Sequence, residues 1–230
     1  MQTKNQTQRR HRAMDNELSL RSVDVVKTVA YFDVFKYPLT VEQIYKFLPR
    51  NSVQHEYISS VVRRLVASGV LDRASEYYFL HAEDGEIVER RKRDERRAAT
   101  MLRRARAVAF LLKQFPFTRA VFITGSLSKY VAAADSDIDF MIVTENDRLW
   151  ICKAVLTAFR KIFLLGSHKY FCTNLYVTEH RYNLPDHNLY AAVELFTTKV
   201  LWNVESFVEF QLANTWAADY LPNCSYTIDP

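Results

Sequence analysis

The sequence predicts an α+β protein: a small N-terminal module of three helices and a hairpin, a connecting helix, and then a mixed β-sheet flanked by helices. Three observations predict it. Apolar residues recur at helical spacing over 22–68 and are followed by two short β-rich runs; a long charged helix pattern follows; and two apolar strand patterns, 119–124 and 137–144, are separated by a Gly-Ser turn. With 230 residues, 49% hydrophobic and 13% aromatic, the chain can bury a sizeable core.

Residues 1–21 are rich in Gln, Asn, Arg and Lys and poor in apolar groups, which predicts a disordered basic tail. From Ser22 to Val34, residues Val25, Val26, Val29, Ala30 and Phe32 mark a helix that Pro38 and its predecessor would end. Thr40 and Gln43 have capping-box spacing, and Leu39 and Ile44 stand at the staple positions around it, so a second helix starts there. A third helix is expected from Val53 to Ser68, with Ile58, Val61, Val62, Leu65 and Val66 on one face and Gly69 at its end. Val70 to Arg73 and Tyr77 to Leu80 read as a hairpin joined by Ala74, Ser75 and Glu76. This order of elements, over 22–84, resembles a winged helix-turn-helix domain. The resemblance implies DNA as a partner, with Arg63 and Arg64 near phosphates and the hairpin as the wing. A protein-interaction module or a packed appendage of the next domain fits the same pattern.

Residues 85–116 form the connecting helix, with Met101, Leu102, Ala105, Val108, Ala109, Leu112 and Phe115 on one stripe. From Glu86 to Arg106 it carries nine Lys and Arg against four Asp and Glu, which suits either a solvated helix or a basic connector that meets phosphates. The formal charge of +5 makes an acidic partner plausible without specifying it.

The chemistry concentrates in 117–230. A strand over Arg119 to Thr124 runs into Gly125-Ser126 and a helix expected from Leu127 to Ala134, a place where amides and a serine hydroxyl can meet a phosphate. Twelve residues after Gly125 come Asp137 and Asp139, at alternate positions of the next strand, so both carboxylates would share a face while Ile138 takes the other. Like charges about 4 Å apart repel by about 4 kcal/mol at an effective dielectric near 20, which favours a divalent cation between them. The rest of that strand, through Thr144, is apolar on both faces, as an interior strand flanked by helices requires.

On Gly125, Ser126 and the Ser136-Asp137-Ile138-Asp139 run, the chain is similar to the nucleotidyltransferase superfamily that includes DNA polymerase beta and the minimal nucleotidyltransferases. The resemblance implies that Gly125 and Ser126 hold the outer phosphates of a nucleoside triphosphate, with ATP expected, and that Asp137 and Asp139 hold Mg²⁺ or Mn²⁺. A nucleoside monophosphate would then pass to an acceptor hydroxyl of unknown identity. Where the family places a third carboxylate, on a strand over Tyr170 to Val177, this chain offers Asn174, an amide that ligates weakly and accepts protons poorly. Glu179 beyond the strand is an alternative if the chain bends back. Lys129, one helical turn past Ser126, can face the phosphates or solvent, and Tyr130 stands where many minimal enzymes carry a glycine. Without the third carboxylate, a nucleotide-binding, DNA-associated regulator that lacks catalysis uses the same residues, as does a minimal transferase of a toxin-antitoxin pair.

Helices are expected from Trp150 to Leu165 and, capped by Asp186, from about Leu189 to Val200, with Glu194 on the latter either facing the site or standing on the surface. Trp202, Phe207, Phe210, Trp216 and Tyr220 would cover a sheet edge or offer an aromatic surface. His168, His180 and His187 have no metal-motif spacing, and Cys152, Cys172 and Cys224 form neither a disulfide framework nor a zinc motif. Reduced cysteines, with no signal peptide and no membrane span, point to the cytoplasm.

Overall fold

The structure, a computed structural model, describes residues 21–49, 54–80, 85–163 and 170–225. The expected tail, the helix start at Val53, the helix end at Leu165, and His168 lie outside the described residues. The described chain divides into two compact units, one of residues up to 91 with 221–224, the other of 92–220 with 225.

In the first unit, helix α1 (21–33) buries Val25, Val29 and Phe32. Helix α2 (Val41–Lys46) opens with the expected capping box: the Gln43 amide N–H donates to Thr40 Oγ1 at 3.3 Å, and the Thr40 N–H donates to Gln43 Oε1 at 3.1 Å. Leu39 and Ile44 are both fully buried beside it. Helix α3 (His55–Ala67) turns Ile58, Val61, Val62 and Leu65 inward and leaves Arg63 and Arg64 exposed. Strands β1 (Asp72–Ala74) and β2 (Tyr77–Phe79) pair antiparallel; β1 starts two residues later than expected and runs on through Ala74, β2 ends one residue earlier, and Ser75 takes a positive φ of 58° in the turn. Leu39 bridges Tyr78, so the residue before the capping box adds a third edge to the hairpin. Arg91 is buried: its guanidinium lies between the rings of Tyr37 at 3.8 Å and Tyr77 at 4.8 Å and donates to the Pro38 carbonyl.

Helix α4 (Ile87–Leu112) is more than the expected connector. From residue 92 it belongs to the second unit, where Ala98, Met101, Ala105, Ala109 and Leu112 pack on the sheet. That sheet has four strands in the order β5-β4-β3-β6: β3 (Thr118–Ile123), β4 (Asp139–Thr144), β5 (Cys172–Thr178) and β6 (Lys199–Trp202). Strand β4 is interior, as its apolar faces require; it runs antiparallel to β3 and parallel to β5. Val121, Ile123, Phe140 and Ile142 face the core shared with α4 and with Cys152 and Leu156 of helix α6 (Leu149–Phe163).

Three elements differ from the sequence reading. The helix after Gly125 is a single turn, α5 (Gly125–Ser128), because Tyr130 adopts a φ of 60° and the Tyr130 and Val131 amides close on the Leu127 and Ser126 carbonyls. Helix α7 (Leu189–Thr197) is capped by Asn188, whose side chain accepts from the Ala191 N–H at 2.9 Å, so Asp186 is not the cap. The helix ends before Val200, and Lys199–Trp202 instead forms β6, an edge strand on β3. Helix α8 (Val204–Ala213) then covers a face of the sheet rather than its edge, with Phe207 and Phe210 at 5.1 and 5.7 Å from the Phe122 ring. The short α9 (Ala217–Tyr220) follows. Among the described residues no helix is long and apolar enough to cross a membrane.

Thr40→Ala removes the Oγ1 arm of the capping box and leaves the arm made by the residue-40 N–H. The expected loss is about 1 kcal/mol, read as a lower urea midpoint at unchanged slope.

Candidate active site

Strand β3 delivers the chain to Thr124, whose N–H donates to the Asp139 carbonyl at 3.0 Å, and then to Gly125 at a φ of 69°. A Cβ on Gly125 would collide with Asp139 Oδ2 and stand 3.2 Å from Asp139 Cγ. Glycine is therefore required twice, by the backbone conformation and by the carboxylate packed against it. The same contact sets the Ser126 turn beside the acidic pair.

Asp139 is the first residue of β4 and half-buried; Asp137 lies before the strand and is exposed. Strand alternation thus begins only at Asp139, and fully buried Ile138 between them fixes the local direction of the chain. The Asp139 carboxyl is held above its ordinary value chiefly by burial, with the Asp137 and Glu194 charges adding to the rise; a hydrogen bond with the Cys172 thiol and the charge of Lys129 oppose it. Cys172, opposite Asp139 in the strand register, is pushed up to about 11 by burial and by the Asp139 charge.

Glu194 is the residue the sequence reading undervalued. Its Oε2 accepts from the Gly125 N–H at 3.2 Å and its Oε1 pairs with Lys129 Nζ at 2.5 Å, while Nζ also donates to the Gly125 carbonyl at 2.9 Å. Both peptide groups of Gly125 are thereby held by this ion pair. The Lys129 side chain is only 10% exposed, so it stabilises the turn instead of standing free in solvent. Ser128 Oγ also donates to the Gly125 carbonyl, at 2.8 Å, whereas the Ser126 hydroxyl has no hydrogen-bond partner among the described residues. Tyr190, one turn before Glu194, has its phenol raised first by the Glu194 charge and then by burial. One signal for Glu194 was in the sequence: it is the single charged residue of Leu-Tyr-Ala-Ala-Val-Glu-Leu-Phe-Thr.

Asn174 does not stand opposite Asp139. The β4–β5 register shifts between Phe140 and Met141, whose partners are Thr173 and Leu175, so Asn174 is the bulged residue and is exposed. Glu179 lies past the other end of β5, next to the Thr144–Thr178 pair, where it is 3.8 Å from Arg119; it cannot replace the missing carboxylate. Asn174 instead joins Gly125, Glu194 and Tyr190 in lining a cavity of about 410 Å³.

No group of three His, Cys, Asp or Glu side chains among the described residues is placed to hold a metal. A divalent cation held by Asp137 and Asp139 would relieve the burial and like-charge repulsion that raise Asp139. Comparison of the chain with protein-family models, with curated proteins and with solved structures finds no match in any of the three.

Gly125→Ala is expected to destabilise the protein by about 2 kcal/mol or more, lowering the melting temperature by roughly 4–8 °C. Adding Asp139→Ala should recover the steric part of that loss and leave the conformational part, a coupling that a double-mutant cycle reads directly. Asp139→Asn tests the electrostatics. With its folded-state value raised, ionised Asp139 costs stability above that value and nothing below the ordinary 3.8. In metal-free buffer the variant should therefore melt higher than the parent at neutral pH, and the difference should shrink as pH falls toward 3.8.

Proposed function

We propose that the protein is an Mg²⁺-dependent nucleotidyltransferase that moves a nucleoside monophosphate from a nucleoside triphosphate to an acceptor hydroxyl. The observation that carries this reading is the packing of Gly125 against the Asp139 carboxylate, which sets a serine-bearing turn beside two acids. Ser126 Oγ and the α5 amides that follow Gly125, whose own N–H is taken by Glu194, would hold the outer phosphates. Asp137 and Asp139 would hold Mg²⁺ or Mn²⁺, which when bound offsets charge on the phosphates and on the leaving pyrophosphate. The acceptor oxygen attacks the α-phosphorus in line, the bond to the bridging oxygen breaks, and the acceptor proton needs a base. Glu194, on the cavity side of Gly125, is the described carboxylate suited to take it; Asn174 would orient the acceptor through its amide. Lys129 keeps Glu194 in place. In the first unit, exposed Arg63 and Arg64 on α3 support a winged helix that contacts DNA phosphates.

Isothermal titration with ATP and the other triphosphates, with and without Mg²⁺, tests the reading, followed by pyrophosphate release. The double variant Asp137→Asn with Asp139→Asn should stay folded and lose Mg²⁺-dependent nucleotide affinity by about tenfold or more. Unchanged affinity would remove the carboxylates from the site. Glu194→Gln should lower the release rate by about 10²–10⁴ if it is the base. Binding without release on any acceptor would instead identify a nucleotide-binding regulator.

A further inference from the structure

The chain carries 31 Lys and Arg against 26 Asp and Glu, yet among the described residues no Lys, Arg or His lines the cavity beside Gly125. Its walls include the apolar Met141, Leu175 and Leu184, and its polar side chains are the amides of Asn174 and Asn188, the acids Asp186 and Glu194, and the hydroxyls of Thr124, Tyr190 and Thr198. Of these, Asn174 and Asp186 have side chains with no partner among the described residues, so each keeps its full capacity for a ligand. The cavity borders Gly125 and Glu194 but is not bordered by Ser126, Asp137 or Lys129, the residues of the phosphate side. Its volume of about 410 Å³ suits a small molecule, and a nucleic acid backbone or a phosphorylated ligand would find no counter-charge there.

We infer that this cavity is the acceptor site, and that the acceptor is a small, phosphate-free molecule bearing hydroxyls and at least one amine. The inference rests on the nucleotidyltransferase reading. The amine meets the Asp186 carboxylate, a hydroxyl meets the Asn174 amide, and the carbon frame lies on Leu175 and Met141. A hydroxyl so placed is next to Glu194. In the transfer its oxygen bonds to the α-phosphorus, pyrophosphate departs with the electron pair of the broken P–O bond, and the proton passes to Glu194.

The test uses the full chain with Mg²⁺ and ATP and a matched probe set: the glucosamine disaccharide, the neutral disaccharide of glucose, glucosamine 6-phosphate, and a short DNA oligonucleotide with a free 3′-hydroxyl. Mg²⁺-dependent ATP binding is measured first; its absence would overturn the parent reading, and the inference with it. Given that binding, the aminated disaccharide should stimulate pyrophosphate release at least about tenfold more than the phosphorylated sugar or the oligonucleotide. Asp186→Asn should raise the KM for the aminated probe about tenfold and leave that for the neutral sugar unchanged. Leu175→Arg, which fills the cavity and adds a cation, should abolish stimulation while leaving ATP affinity intact. Equal or better use of the oligonucleotide or the sugar phosphate would overturn the inference and leave the parent reading standing. So would indifference to both substitutions, no stimulation by the aminated probe, or a loss of ATP affinity in Leu175→Arg, which would place the nucleotide itself in the cavity.

Discussion

The site depends on one close approach, the Gly125 backbone against the Asp139 carboxylate. Strands β3 and β4 pair antiparallel, with Ile123 opposite Phe140, and the next residues along each would separate if either had to make room. The missing Cβ removes that need. The chain can then turn at a positive φ, start a helix within one residue, and present Ser126 at the level of the acids. An alanine would displace either the turn or the carboxylate, and both are fixed by buried neighbours: Ile123 and Phe140 are inaccessible in the sheet core, and Ile138 anchors the approach to β4.

That approach creates an electrostatic problem, whose solution explains Lys129 and Glu194. Asp139 is half-buried with Asp137 and Glu194 as like-charged neighbours, and the nearby Lys129 partly balances them. Lys129 is committed to Glu194 at 2.5 Å and to the Gly125 carbonyl, so it neutralises the acid from α7 rather than Asp137 and Asp139. The Asp139 carboxyl stays raised. Functional sites commonly hold such groups at a cost in stability that the surrounding packing offsets, and here the packing is close at hand in the Phe122, Phe207 and Phe210 cluster and in the α4 stripe.

The local chemistry was legible from the sequence because it is short-range. The Thr40–Gln43 capping box, the Gly125 turn and the interior character of β4 each depend on residues within a few positions of one another, whereas Asp137, expected on the strand, lies before it. What failed depends on distant partners. The α5 helix stops after one turn because Tyr130 takes a left-handed conformation that periodicity does not encode. Lys199–Trp202 continues an apolar helical stripe and becomes a strand only because β3 has a free edge to pair with. Glu194 lies 69 residues from Gly125, and the lone acid of α7 gains its meaning only from the backbone it meets. The β4–β5 bulge that leaves Asn174 without a cross-strand partner is likewise not written in the pattern of either strand alone.

That bulge changes what the missing carboxylate means. If Asn174 stood opposite Asp139, the amide would be a defect in a metal cage. The strand register instead gives that place to Cys172, whose thiol donates to the Asp139 carboxylate and whose ionisation is disfavoured by burial and by that carboxylate's charge. Under the proposed nucleotidyltransferase reading, the acid that β5 does not carry is supplied from α7, where Glu194 accepts from the Gly125 N–H. The two-carboxylate seat and the third acid are thus held by separate elements, with the glycine between them. Under the proposed chemistry this separates two tasks that a single cluster of three acids would combine: Asp137 and Asp139 face the phosphates, while Glu194 faces the cavity. A proton acceptor on the cavity side, next to an unpartnered amide and acid, serves the molecule that enters there, and it does so without competing for the cation.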